Sequence, residues 1–262
     1  MSSGEASSSG KAQAVKIFIS LEHACGYYPD RVAQNLVLDP IAEGQKGLYD
    51  AAITRGFRRG GGHIYRPHCA QCSACVASRI DLLKFKPSRA QRRCLKRNAD
   101  LRVERRPAVL TEEYFALYQR YLAGRHVGGG MDEPSAEDFS RFLLAKWSQT
   151  EFIEFRLDER LLGVAVTDVT RTGLSAVYCF YDPNEAKRSL GVFAILCQIQ
   201  AARAANLTHL YLGFWLDGHA KMHYKASYSG LELLRAGEWR ALEPQTFEPQ
   251  ALQPQALRIA SI

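Results

Sequence analysis

No apolar run in this chain of 262 residues approaches the roughly 18–20 consecutive residues that a membrane-spanning helix requires. The opening stretch, MSSGEASSSGKAQAVK, also lacks the apolar core of a secretory signal and reads as a disordered leader. With neither feature, the expectation is a cytoplasmic protein whose seven cysteines are reduced thiols or metal ligands rather than disulfides. Acidic charge is scarce in one place only. Between Arg79 and Arg106 eleven Lys/Arg stand against three acids, a local +8 in a chain of net charge +7, so the other residues sum to about −1. Charge so concentrated reads as a footprint for nucleic acid ahead of a merely solvated helix face.

The rest of the composition, 47% hydrophobic and 23% charged, is that of a globular protein with room for one large domain or two modest ones. Residues 16–105, rich in Cys, Gly and Arg, are expected to form a smaller N-terminal domain, and residues 106–242 a regular α+β domain. Residues 1–15 and 243–262 look like disordered tails, the second repeating a Pro-Gln-Ala-Leu theme.

Ser88 after Pro87 predicts a helix start, with Arg89, Arg92, Arg93, Lys96 and Arg97 in one stripe and Ala90, Cys94 and Leu95 leaning to another side. Thr111 with Glu112 and Glu113 opens a helix to about Leu122, and another is expected over about Ser135–Trp147. The period then changes to two. EFIEFRL, RLLGVAVTDV and LSAVYCFY read as strands, the first two joined by a tight turn at Asp158–Glu159. A helix ending at Asn206 and a last strand, THLYLGFW, follow. That order resembles the core of the GNAT acyltransferase fold, although other α+β sandwiches share it. In that fold a Q/R-x-x-G-x-G/A loop holds the CoA pyrophosphate; here the place reads RSLGVF, with Arg188 and Gly191 in position but Phe193 where the second small residue belongs. The expected donor is therefore not CoA but an acyl group carried on RNA.

Eight segments carry a closer resemblance: CGYYP (25–29), GFRRGGGHIYRPHCAQCSACV (56–76), KPSRAQRRCLKRN (86–98), LYQRYLAGRHVGGGM (117–131), SAVYCFYDP (175–183), SLGVFAILCQI (189–199), LYLGFW (210–215) and KMHYKASY (221–228). In this order they resemble the arginyl/leucyl-tRNA–protein transferases from about Phe18 to Arg240, most closely the bacterial branch. The resemblance implies that leucine passes from leucyl-tRNA to the α-amine of proteins with N-terminal Asp or Glu, marking them for degradation in the N-degron pathway. Arginine from arginyl-tRNA is the alternative donor residue. A non-catalytic tRNA-binding protein with a GNAT-like domain and a small-molecule acetyltransferase are the competing readings. One departure is Ser229–Gly230 after KASY, where relatives commonly carry a Pro-containing step.

Such a reaction needs a neutral acceptor amine, which a pKa of about 7.7–8.0 makes mild, donors for the tetrahedral oxyanion, a proton for the departing ribose oxygen and a cation for the acceptor's carboxylate. It needs no cofactor beyond the aminoacyl-tRNA co-substrate, and much of the rate can come from holding ester and amine together. Asp168 and Asp182 are the expected bases or partners of the aminoacyl amine, and Tyr178 the proton donor; Asp182 before Pro is equally a turn residue and Tyr178 equally a packed strand residue. Substrate contacts are expected from Ser189 and Gly191 and from Lys221, Met222, Tyr224 and Lys225, either lysine pairing with the acceptor carboxylate. In YLGFW, alternation around Gly213 places Tyr211 and Trp215 on one face, as walls for an aminoacyl group or terminal adenine. Transfer RNA is expected on Lys84, Lys86, the five cations of the helical stripe and His126. Cys69, Cys72 and Cys75 have C-x-x-C spacing twice over and, with Cys25 or His68, suit a structural zinc or Fe–S site; plain thiols suit it too. A monomer is expected to carry all of these functions.

Overall fold

The computed structural model describes residues 15–125 and 134–242. His126 and the two expected tails, apart from Val15, therefore lie outside the described residues. In chain order the elements are β1 (Ile17–Ile19), β2 (His23–Ala24), β3 (Val32–Ala33), β4 (Asn35–Leu38), α1 (Gln45–Ile53), β5 (Arg58–Gly60), β6 (His63–Pro67), β7 (Val76–Asp81), α2 (Arg89–Arg97), β8 (Arg102–Pro107), α3 (Glu112–Arg125), α4 (Ala136–Leu143), β9 (Thr150–Leu157), β10 (Arg160–Val169), β11 (Gly173–Tyr181), α5 (Leu190–Ala204), β12 (His209–Trp215), β13 (Leu231–Arg235) and β14 (Glu238–Ala241). Short 3₁₀ helices cover Pro183–Arg188 and His223–Ser227. No helix among the described residues is long and apolar enough to cross a membrane.

Eight strands form one sheet in the order β14-β13-β7-β12-β11-β10-β9-β8. β9, β10 and β11 meander antiparallel, α5 crosses over, and β12 returns parallel to β11. This is the α+β, GNAT-like arrangement that the period-two runs lead one to expect. The division expected at residue 105 does not follow the packing. β7 comes from before it and β8 straddles it, yet β7 pairs with β12 and β13 inside the large sheet and β8 closes its far edge. The sequence RVERRP hides β8 because an edge strand needs no apolar face; its charged side chains stay at the surface.

One face of the sheet packs on α5 through Ile80, Leu210, Leu212, Leu231 and Leu233. The opposite face is shared. α3 and α4 cover the β9–β11 half, where Phe139 packs with Phe152 and Phe180. A second, four-stranded sheet of order β1-β4-β6-β5 and α1 cover the β12 side, where Tyr49, Ile53 and Ile64 meet Tyr211.

Local signals explain the helix ends. Ser88 Oγ accepts from Gln91 N while the Gln91 side chain accepts from Ser88 N, a capping box that starts α2. The buried side of α2 is Gln91 and Cys94; Ala90 is exposed, contrary to its expected lean. Ser135 and Asp138 make the same reciprocal pair at α4, which stops at Leu143 because Leu144 turns to extended backbone, short of the expected Trp147. α3 instead runs past the expected Leu122 to Arg125.

The feature that creates a site is a divergence of strands. β12 pairs with β11 only where His209–Tyr211 face Gly173–Ser175. Beyond Ser175, β11 continues against β10 and β12 against β7. The two parallel strands part, and a cleft opens beside the first turns of α5.

Candidate functional site

The cleft holds a cavity of about 740 Å³. Apolar groups of β11, α5 and β12, among them Val177, Val192, Ile195 and Leu212, line one side with Tyr121, Tyr178 and Tyr181. Arg58, Lys221 and Lys225 line the other beside Tyr27, Met222 and Tyr224. Among the described residues, the lining contains these three basic side chains and no Asp or Glu.

Arg58, which the sequence reading passed over, sits at the centre of the cationic side. β5 is short, and strand alternation sends its two arginines opposite ways. Arg58 turns into the cleft, donates from Nη2 to the Ala176 carbonyl at 3.1 Å, and lies 5.7 Å from the Phe214 ring centroid. It has no ion-pair partner among the described residues. Arg59 turns the other way and is fully buried, donating to both carboxylate oxygens of Asp168 at 2.8 and 3.1 Å and to three backbone carbonyls.

Gly213 makes the position of Arg58 attainable. Its φ of +81° is one that side chains strain to adopt, and a Cβ there would stand 1.6 Å from Arg58 Nη1. The same residue corrects the expectation for YLGFW. The β12–β7 register slips between Tyr211 and Gly213, a bulge that ends the simple alternation. Tyr211 therefore packs under the small sheet, with its hydroxyl 2.9 Å from Thr172 Oγ1, whereas Trp215 packs on the α5 side. Neither lines the cleft; Leu212 does.

Lys225 is only 3% exposed, held in the second 3₁₀ helix with Nζ donating to the Phe214 carbonyl. Burial first, and then the neighbouring Arg58, push its pKa down to about 7. Lys221 is exposed at the mouth, and Met222 and Tyr224 line the wall beside it. Ser189, in a left-handed conformation, and Gly191 form the α5 rim of the same cleft. Gln198, absent from the sequence reading, reaches the cleft from α5 with its Nε2 donating to Thr167 Oγ1 at 2.7 Å. Six of the expected substrate contacts thus converge: Ser189, Gly191, Lys221, Met222, Tyr224 and Lys225.

The expected catalytic residues separate. Tyr178 lines the cleft, ringed by Phe142, Tyr118 and Tyr121, and burial pushes its pKa well up, so its hydroxyl keeps its proton. Asp168 is 0% exposed, accepts from Arg59 on both oxygens and from Thr150 Oγ1 at 2.7 Å, and does not line the cleft. Asp182 caps the first 3₁₀ helix by accepting from Asn184 N at 3.0 Å. Neither carboxylate lines the cleft. Phe193 also behaves differently from expectation: it packs edge-on to Phe155 within the α5–sheet core and does not line the cleft, so its bulk does not obstruct it.

The basic footprint narrows to one helix. Lys84 is paired with Asp81 and Glu232 at 3.0 and 3.3 Å, and Arg102, Arg105 and Arg106 are paired with Glu104 or Glu151. Arg89, Arg92, Arg93, Lys96 and Arg97 on α2 are exposed and have no ion pair among the described residues, and Lys86 stands exposed just before them. The end of α2 reaches the cleft: Arg97 donates to the Lys187 carbonyl and Asn98 Nδ2 to the Arg188 carbonyl at 2.8 Å, next to Ser189.

Cys25, Cys69, Cys72 and Cys75 do surround one small cavity of about 40 Å³, with Tyr28 and Arg31. Their spacing suits a structural metal and plain thiols alike; among the described residues no group of three or more His, Cys, Asp or Glu is placed to hold a metal ion. The thiols have protein partners instead. Arg31 Nη1 lies 3.3 Å from Cys72 Sγ, and Cys69 Sγ lies 3.7 Å from the Gln34 carbonyl. Burial first, and then the neighbouring Cys25, Cys69 and Cys72, push the Cys75 thiol up to about 11, whereas hydrogen bonds from the Ala74 backbone and Arg31 lower that of Cys72.

Known proteins share this chain nearly end to end. An aspartate/glutamate leucyltransferase of Stenotrophomonas maltophilia (strain R551-3) is 51% identical over 237 residues, covering 88% of this chain and 94% of that one. Proteins of the same name from Hahella chejuensis and Pseudomonas savastanoi pv. phaseolicola are 49% and 48% identical, over 83% and 87% of this chain and 93% and 97% of theirs. A solved structure, L-PGS from Bacillus licheniformis, overlays at a TM-score of 0.41 with 11% identity, over 56% of this chain and 47% of that one. Residues 23–93 match the family described as arginine-tRNA-protein transferase, N terminus, and residues 113–235 its C terminus. With the cleft, the basic helix and these matches together, the chain belongs to the arginine-tRNA-protein transferase family.

Proposed function

We propose that this chain transfers leucine from leucyl-tRNA to the α-amine of proteins that begin with Asp or Glu, and so marks them for degradation. The observation that carries this reading is the lining of the cleft: apolar groups together with Arg58, Lys221 and Lys225, and no carboxylate among the described residues that line it. A leucyl side chain fits the apolar side of β11 and α5. An arginyl guanidinium buried there would meet no counter-charge, a cost of several kcal/mol per ion in a desolvated site. The acceptor's Asp or Glu side chain fits the cationic side, where Arg58 offers a planar fork suited to a carboxylate.

The chemistry follows from these groups. With leucyl ester and acceptor amine held side by side, the amine attacks the ester carbonyl, the amide bond forms, and the ribose oxygen departs with a proton. Lys225, near half neutral at pH 7, takes the proton released by the attacking amine. Tyr178, which burial keeps protonated, donates a hydrogen bond to the departing oxygen, and the proton taken up by Lys225 is passed on to that oxygen as it leaves. Ser189, Gly191, Met222 and Tyr224 position the two ends. The ester brings its own activation, so neither CoA nor a metal is assigned to the step. The cationic stripe of α2 holds the tRNA backbone beside the rim at Ser189, where sequence-independent phosphate contacts position an RNA. The reaction belongs in the cytoplasm, where aminoacyl-tRNA is made and used, and one chain offers every group it needs, which supports a monomer.

Lys225 gives this reading a pH signature. Because its pKa is depressed to about 7, its neutral, proton-accepting form grows as pH rises. At saturating leucyl-tRNA, kcat/KM for an Asp-start peptide is expected to climb through an acid limb near pH 7, on which the acceptor amine's own limb near 7.7–8.0 is superposed. In Lys225→Met only the amine limb should remain, on a rate lowered by about 10²–10⁴-fold. An unchanged pH profile in that variant would remove Lys225 from the proton transfer.

A further inference from the structure

A second groove, of about 820 Å³, opens between β6, the start of β7 and the β13–β14 hairpin. Arg55, Arg66 and Arg235 line it together with Ser73, Leu234 and Phe214, and no Asp or Glu among the described residues does. None of the three arginines has an ion-pair partner among the described residues. Arg66 is fixed, with Nη1 donating to the Arg55 carbonyl at 3.1 Å and its guanidinium 5.0 Å from the Phe57 ring centroid. Arg55 donates to the Ala51 carbonyl at 3.2 Å and is exposed. Arg235 leads into the hairpin turn, where Ala236 and Gly237 both have positive φ, and is also exposed. The groove is as large as a complete ligand site, and nothing in the reaction chemistry above uses it.

Its position relative to the transfer cleft is informative. Phe214 and Cys75 form its inner wall. The Phe214 carbonyl receives the Lys225 amine, and the Phe214 ring faces Arg58. The groove therefore begins directly behind the cationic side of the cleft. The α2 stripe meets the cleft at its other end, beside Lys187–Ser189. Two macromolecules must reach one reaction centre, and the fold supplies two basic approaches to it on opposite sides.

We propose that this groove is the subsite for the acceptor polypeptide beyond its first residue, and that it favours acidic side chains at the positions that follow. The proposal rests on the transfer reading, since it takes the acceptor's first carboxylate to lie at Arg58. From there the chain would run on past Phe214, the residue that ties the Arg58–Lys225 side of the cleft to the arginine groove. Guanidinium forks fixed over an aromatic ring and on backbone carbonyls lose little freedom when a carboxylate docks, so each exposed pair adds modestly to affinity.

The test uses the full-length chain with leucyl-tRNA saturating and two peptides, Asp-Ala-Ala-Ala-Ala and Asp-Ala-Glu-Glu-Glu. The wild type is expected to show a KM about three- to tenfold lower for the acidic peptide, the scale of a few exposed ion pairs. The double variant Arg55→Gln/Arg235→Gln, both positions exposed, should lose this preference through KM for the acidic peptide, and Arg235→Glu should invert it. A preference that persists in both variants would overturn the proposal. So would a raised Kd for leucyl-tRNA with the peptide preference intact, which would assign the groove to RNA. Absence of transfer to either peptide by the wild type would remove the transfer reading itself and this subsite with it.

Discussion

Arg58→Met is expected to lower kcat/KM for an Asp-start peptide by about 10²–10³-fold, with leucyl-tRNA affinity within about twofold of wild type. Arg58 is half-buried, reaches the cleft, and has no carboxylate of its own to satisfy. Removing one partner of a desolvated, hydrogen-bonded charge pair costs about 2–5 kcal/mol, and each 1.36 kcal/mol is tenfold in rate. The loss should appear with Asp- and Glu-start peptides alike. Lys221, exposed at the mouth, should matter far less, because solvent screens it. Gly213→Ala supplies an independent check. It removes nothing chemical, but its methyl would occupy the space of the Arg58 guanidinium, so its kinetics should resemble those of Arg58→Met. If Arg58→Met kept wild-type kcat/KM while Lys221→Met lost it, the acceptor carboxylate would lie at the mouth of the cleft instead.

Asp168→Ala is expected to fail in a different way, by losing about 3–5 kcal/mol of stability. Arg59 would remain fully buried with its carboxylate partner gone, and the carbonyls of Gly61, Phe142 and Leu143 cannot neutralise it. This pair joins β5 to β10 and the end of α4, so its loss loosens the small sheet against the large one. Arg59→Met/Asp168→Leu should recover much of the deficit, because apolar groups of similar size replace a buried pair without the desolvation penalty. Urea titrations read the difference as a shift in midpoint. An Asp168→Ala protein of normal stability but no activity would return Asp168 to the catalytic role that its place at the end of a strand suggests.

These two variants mark where the amino-acid sequence is legible. The meander β9–β11, α5 and β12 can be read because their apolar residues keep a period of two or 3.6 against one continuous core. The capping serines at 88 and 135 can be read because their bonds are local. Lys221–Lys225 and Ser189–Gly191 could be placed in the site from the family resemblance. Arg58 could not, although it stands in the quoted GFRRGGGH, because which of two adjacent arginines enters the cleft depends on strand pairing some 120 residues away, at Ala176. Asp168 was misread for the converse reason: the partner that saturates it, Arg59, is remote in sequence. The opposed faces of Tyr211 and Trp215 follow from one bulge at Gly213, which alternation alone cannot reveal. β8 lacked an apolar face altogether, and cysteine spacing alone does not separate a metal site from four plain thiols around one small cavity. Local chemistry and periodicity survive in a sequence; the pairing of distant charges does not.

The central claim is that a cleft whose described lining is apolar groups with Arg58, Lys221 and Lys225, and no carboxylate, moves leucine and not arginine. The most direct measurement offers the purified chain equal concentrations of tRNAs charged with differently labelled leucine and arginine, together with one Asp-start peptide. Mass analysis then shows which residue has been added to its N-terminus. Leucine on the peptide, with arginine at least about a hundredfold slower given the cost of burying an unpaired guanidinium, is the predicted result. Arginine transfer at a comparable rate, or no transfer from either tRNA, would contradict it.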